Sequence, residues 1–159
     1  MNEDWYKIIA EALRVLAEIP RFVDVEDMDF PPEAVASQLY YAISPRLAAH
    51  DLDQEIKEYA LGSSGALLSL LHPYLIPSQK EDLLKLISER LENENTLLAA
   101  LKTISIIAQS THKWNLTTVL NKVVRELAGL LRQQNREVKQ SALETMNVVV
   151  ISYGKKWWN

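Results

Sequence analysis

"EIKEYAL" (residues 55–61) recurs as "EVKQSAL" (residues 137–143). Between them, "NTLLAAL" (residues 95–101) ends on the same Ala-Leu pair. The three alanines, Ala60, Ala100 and Ala142, stand 40 and 42 residues apart. Ahead of each lies a second related stretch: "ISPRLAAHD" (43–51), "ISERLENEN" (87–95) and "LAGLLRQQN" (127–135). "IIAEAL" (8–13) places Ala12 and Leu13 opposite Ala60 and Leu61, across a longer connection. A period of about 40 residues marks stacked units, none of which buries its apolar face alone.

The units are helical. Apolar residues fall three and four apart, so they share one side of a helix. In "WYKIIAEALRVLAEIP" this side holds Tyr6, Ile9, Leu13, Leu16 and Ala17, and Pro20 is expected to end the run. Pro31 and Pro32 suit a helix entrance, where a missing N–H costs nothing. Pro45 should kink the helix that follows. His72 and Pro73 should stop the next one, and Gly154 is placed to cap the last. Four glycines and six prolines in 159 residues leave room for long regular elements. The spacing predicts a single array over residues 1–159. It comprises a lone second helix at 4–19, an acidic connection at 20–31, and helix pairs at 32–72, 78–110 and 116–154. Short connections make paired helices antiparallel.

The period is that of HEAT-type hairpins. "PRLAAHD" followed by "IKEYA" resembles the HEAT pattern, in which a proline bends the first helix and an Asp caps the second. The expected fold class is therefore all-α, a HEAT-repeat (ARM-like) right-handed α-solenoid of antiparallel helix pairs.

"HDLD" (residues 50–53) with Glu55 could be a metal loop. Asp53, however, has Asn93 and Asn135 at its equivalent positions. Asp and Asn share the ability to accept a helix N-terminal N–H, whereas they share metal affinity poorly. Ile56 also stands where a calcium loop needs glycine. The position reads as an N-cap, and Ser78 with Glu81 has capping-box spacing. His50, His72 and His112 are not spaced as ligands and read as loop histidines in solvent. "GSSGAL" (62–67) lacks the Gly-Lys-Ser/Thr of a phosphate loop and reads as small residues at a tight helix contact. "KKWW" (155–158) could stack on a nucleic acid or sit at a membrane interface, but reads better as Trp157 and Trp158 packing on a following helix. The acidic run 24–29 reads as a solvated loop. We expect no catalytic residues, no metal site and no cofactor.

Composition narrows the function. The net charge is −4, from 17 basic and 21 acidic residues, which argues against a phosphate-backbone binder. No stretch approaches a membrane span, and the start lacks a basic signal-peptide region. The absence of cysteine excludes disulfides and suits a reducing compartment, cytoplasmic or nuclear. The "NLT" sequon at Asn115 is expected to be unused. We expect no nucleic acid and no membrane among the partners.

"YKIIAEAL", "DLDQEIKEYAL", "ISERLENENTLLAALKTISIIAQS" and "VLNKVVRELAGLLRQQNREVKQSALETMNVVV" together resemble one HEAT family. This is the cullin-associated, neddylation-dissociated proteins, also described as interactors of the TATA-binding protein. The resemblance covers residues 5–153, and "DLDQEIKEYA" is its most specific part. It implies an internal segment of a long solenoid that wraps cullin–RING scaffolds and promotes exchange of substrate-receptor modules without catalysis. The protein partner would be a cullin–RING scaffold in the full-length context. In HEAT arrays the second helices line the concave side, so Glu58, Lys102, Gln140 and Glu144 are the candidate partner-binding residues. Two other readings are a HEAT scaffold such as a nuclear transport receptor, and a HEAT-like DNA glycosylase. A basic groove would be needed for the latter. Uncapped ends, with Ile8, Ile9, Leu13 and Leu16 at one and Val148, Val150, Trp157 and Trp158 at the other, lead us to expect weak self-association.

Overall fold

The structure is a computed structural model that describes residues 3–22, 31–49, 53–110 and 117–154. His50, Asp51, His112, the acidic run, the Asn115 sequon and the 155–158 stretch lie outside the described residues. Helix α1 spans Glu3–Phe22, α2 Pro32–Ala48, α3 Gln54–Leu70, α4 Pro77–Glu89, α5 Leu97–Gln109, α6 Thr117–Leu130 and α7 Arg136–Tyr153. Short 3-10 turns at His72–Tyr74 and Arg90–Glu92 follow α3 and α4. No strand occurs among the described residues.

Two layers result. Helices α1, α3, α5 and α7 stack side by side in one layer, and α2, α4 and α6 form the other. Each odd helix from α3 onward also packs on the even helix before it. This is the HEAT-type solenoid: three hairpins, with α1 stacked as a second helix without its pair. Ala60, Ala100 and Ala142 are each 0 % exposed. Their small side chains let neighbouring second helices approach, while Leu61 and Leu101 fill the space between layers. Full burial of one such leucine contributes about 1.5–3 kcal/mol.

Local chemistry sets the helix starts. The Asp53 carboxylate accepts the Glu55 N–H at 2.8 Å, and the Asn135 carbonyl accepts from Glu137 at 3.0 Å and Val138 at 3.3 Å. Both are N-caps. Asn93 makes the same bond, from Asn95 N–H at 3.0 Å, but does not cap α5. There the first turn is not α-helical, and Thr96 takes the cap position.

Other starts and ends differ from the sequence reading. Helix α4 begins at Pro77, whose fixed φ suits the first helical position, with Ile76 as N-cap. Gln79 Oε1 accepts the Ile76 N–H at 3.3 Å, so Ser78 lies inside the first turn and caps nothing. Helix α1 continues two residues past Pro20. A proline this close to the end removes one hydrogen bond without breaking the final turn. Helix α2, by contrast, has Pro45 inside it as expected, and there Arg46 Nη1 donates to the Ala42 carbonyl at 3.3 Å. Gly154 follows α7 in right-handed helical geometry, φ −56°, so the left-handed cap expected of it is not formed. His72 is buried, because the 3-10 turn that carries it folds against α2.

Side-chain hydroxyls tie the second-helix layer together. Ser63 Oγ donates to the Leu13 carbonyl of α1 at 2.6 Å, and Thr145 Oγ1 donates to the Leu101 carbonyl of α5 at 3.3 Å. Both follow the repeat alanine by three residues. In the intervening unit that position is Thr103, whose hydroxyl bonds Ala99 of its own helix at 2.9 Å. Thr103 Cγ2 instead faces Gly65 across the α3–α5 contact, 3.0 Å from where a Cβ would stand. Gly65 thus bears out the reading of "GSSGAL" as a tight contact. Gly62 does not, since a Cβ there would meet nothing within 4 Å.

Candidate protein-binding face

The outer face of the second-helix layer is broad, polar and grooved. Glu58 on α3, Lys102 on α5, and Gln140 and Glu144 on α7 are all exposed on it. Glu58 and Lys102 line one groove of about 880 Å³, together with residues of α1. Lys102 and Glu144 line a second groove of about 440 Å³ between α5 and α7. Gln140 lies outside both grooves and holds Glu144 by an N–H···O bond of 3.1 Å. Gln54 Nε2 similarly donates to Glu58 at 2.8 Å and to the Asn95 carbonyl at 3.1 Å, which links α3 to the start of α5.

The larger groove has a structural cause. Register between units aligns Arg14, Gly62, Lys102 and Glu144 in one row along the four second helices. The next row, one turn on, holds Glu18, Ala66, Ile106 and Val148. Only α3 carries a small residue in both rows. Its surface is therefore the floor of the groove, and the longer side chains of α1 and α5 are its walls. Sequence reasoning missed this hollow because it took Gly62 for a contact glycine. The available signal was the row itself, in which every other unit carries a charged side chain.

The groove's charge is mixed. Arg14 is engaged by Glu11, with Nε to Oε2 at 3.0 Å, and this bond holds the Glu11 carboxyl below its usual range. The pair is solvent-exposed and adds little to stability. On the other layer, the Tyr40 hydroxyl donates to Asp82 at 2.9 Å and joins α2 to α4. Among the described residues no cluster of three metal-ligating side chains occurs. No described helix is long and apolar enough to cross a membrane.

The ends are apolar, through some of the expected residues, Ile8 and Val150, and through others that were not expected. On α1, Leu13 is buried and Ile9 and Leu16 are partly buried against the core; Ile8 and Val15 are the exposed ones. On α7, Val148 packs partly on the core, while Leu143, Val150 and Ile151 are exposed. The helix phase explains the shift: the face toward α3 or α5 is already occupied, and the outward face lies one or two residues away. Trp157 and Trp158 lie outside the described residues.

Comparison with known proteins agrees with this architecture. Residues 1–64 match the family described as "CAND1-like, TPR repeats". TPR units repeat every 34 residues or so, whereas the spacing of 40 and 42 here is that of HEAT units. The chain is 39 % identical over 158 residues to cullin-associated NEDD8-dissociated protein 1 of Arabidopsis thaliana, a match that takes in 98 % of this chain. Against the Dictyostelium discoideum protein of the same name it is 33 % identical over 94 % of the chain. Against cullin-associated NEDD8-dissociated protein 2 of Mus musculus it is 34 % identical over 96 %. The chain spans only 12–13 % of the length of these relatives. Over nearly its whole length, the chain is thus similar in sequence to a segment of the much longer cullin-associated NEDD8-dissociated proteins.

Proposed function

We propose that the chain is a non-enzymatic protein-binding scaffold, part of a cullin-binding HEAT solenoid that regulates assembly and substrate-receptor exchange of cullin–RING ubiquitin ligases. The observation that carries this reading is the likeness, over nearly the whole chain, to proteins named for association with cullins. The form of the second-helix face supports it. Interfaces of long solenoids spread over many repeats, and this face offers exposed polar side chains on three successive helices with grooves between them. Its partner contacts are Glu58, Lys102, Gln140 and Glu144. Because a short segment holds a small share of such an interface, its own affinity for a cullin is weak. The exposed apolar faces of α1 and α7 add weak self-association.

Titration of the isotope-labelled chain with an unmodified cullin–RING complex tests this reading. Weak, saturable shifts are expected at Glu58, Lys102, Gln140 and Glu144, and charge reversal at Glu58, Lys102 and Glu144 should reduce them. Shifts confined to the α2–α4–α6 layer, or binding indifferent to the reversals, would overturn it. Sedimentation over a wide concentration range tests the self-association; a strict monomer throughout refutes it.

A further inference from the structure

We propose that the hollow over α3 is an anchor pocket, which takes one large apolar side chain of a partner's protein segment with a lysine or arginine beside it. The proposal deepens the protein-binding reading and rests on it. Three features support it.

The first is shape. The groove over α3 is twice the volume of its counterpart between α5 and α7, about 880 against 440 Å³. The larger groove spans α1, α3 and α5, and its lining includes Gly62 and Ala66, where the neighbouring units present Lys102 and Ile106, or Glu144 and Val148. Gly62 is not needed for close packing, because a Cβ there has open space. Nor does it adopt a left-handed conformation, since no described glycine has positive φ. A mid-helix glycine costs about 1 kcal/mol relative to alanine, and neither packing nor backbone geometry offsets that here.

The second feature is the lining. Ala66 and Gly62 form the floor, and Leu98, Leu70 and Ile106 are apolar surface around it. A leucine or phenylalanine entering from a partner would lose water against carbon on several sides. Central, desolvated anchors of this kind carry most of the affinity of protein interfaces.

The third is charge. Glu58 and Glu94 border the groove against Lys102, while Glu18 and Arg14, also on its border, are each engaged by other groups. Arg14 is already bound by Glu11, a residue outside the lining. The balance at the rim is therefore acidic, and a cation adjacent to the anchor is attracted while a carboxylate is repelled.

The test uses the labelled chain and four probes: acetyl-Lys-Leu-Lys-amide, acetyl-Lys-Phe-Lys-amide, acetyl-Lys-Ala-Lys-amide and acetyl-Glu-Leu-Glu-amide. The first two are expected to shift the Gly62, Ala66 and Thr103 amides saturably. The alanine probe should bind about tenfold more weakly, having lost most of the buried apolar surface. The acidic probe should also bind more weakly, with the gap closing as salt is added. Gly62→Leu fills the hollow from within and should abolish these shifts while helicity and melting temperature are kept. Gly62→Ala adds one methyl and should retain binding. The proposal is overturned if no shift saturates at those amides, if the alanine or acidic probe binds as well as the others, or if folded Gly62→Leu binds unchanged. Failure of the probes with cullin binding intact removes only the pocket; failure of cullin binding with the probes intact removes only the cullin reading.

Discussion

Two glycines three residues apart in α3 should respond oppositely to the same substitution. Gly62→Ala and Gly65→Ala both replace a helix-interior glycine, and both gain about 0.8–1.0 kcal/mol of helix propensity. At Gly62 nothing lies within 4 Å of the new methyl. The gain is unopposed, so Gly62→Ala is stabilising by about 1 kcal/mol. At Gly65 the new Cβ would stand 3.0 Å from Thr103 Cγ2 and 3.7 Å from the Thr103 Cα and carbonyl oxygen. The Thr103 rotamer is held by its hydroxyl bond to Ala99, so relief requires α3 and α5 to separate. Overpacking of this kind costs about 1–3 kcal/mol, and Gly65→Ala should be neutral to destabilising by about 2 kcal/mol. Urea denaturation followed by circular dichroism measures both variants against the parent. The reasoning fails if Gly65→Ala is as stabilising as Gly62→Ala, for then the α3–α5 contact is looser than described.

The hydroxyl tie from α7 to α5 predicts that Thr145→Val destabilises by about 1 kcal/mol, since Thr145 donates to the Leu101 carbonyl and accepts from Ser105 at 3.1 Å. Thr103→Val, whose hydroxyl bonds only its own helix, should cost less in the same melt. Ala100→Leu would overpack the middle of the second-helix layer and lower stability by about 1–3 kcal/mol; a neutral result would show the repeat register to be wrong. Burial, and then the donated bond to Asp82, raise the Tyr40 pKa, and burial raises that of Tyr153. A folded-state pKa above the unfolded value means that the stabilisation is complete below about 10 and is lost as pH rises through the folded value. The stability gap between parent and Tyr40→Phe should therefore hold at neutral pH and shrink in strong alkali; a gap independent of pH would refute the assignment.

Sequence and structure divided the work along a physical line. Features that repeat along one strand of chain were legible. Apolar spacing of three and four marked the helices, and the recurrence of Ala60, Ala100 and Ala142 marked the stacking contacts, because each unit must solve the same packing problem. Asp53 and Asn135 were legible as caps because a cap acts on its own next two or three residues. The family resemblance rests on the same repeated wording. What depended on neighbours in space was not legible. His72 lies buried under a turn whose docking on α2 no local pattern announces. Asn93 keeps its local bond yet loses the cap, because its helix starts late. Of the expected end-face residues Ile8 is exposed but Leu13 is buried, and Val15 joins Ile8 on the outward face because packing takes the inward one. The pair Gly62 and Gly65 shows the division most directly. Both are glycines in the middle of one helix, alike to any sequence rule. The distance to Thr103 on another helix makes one a contact and the other the floor of a groove, because a missing side chain gains its meaning only from what stands opposite it.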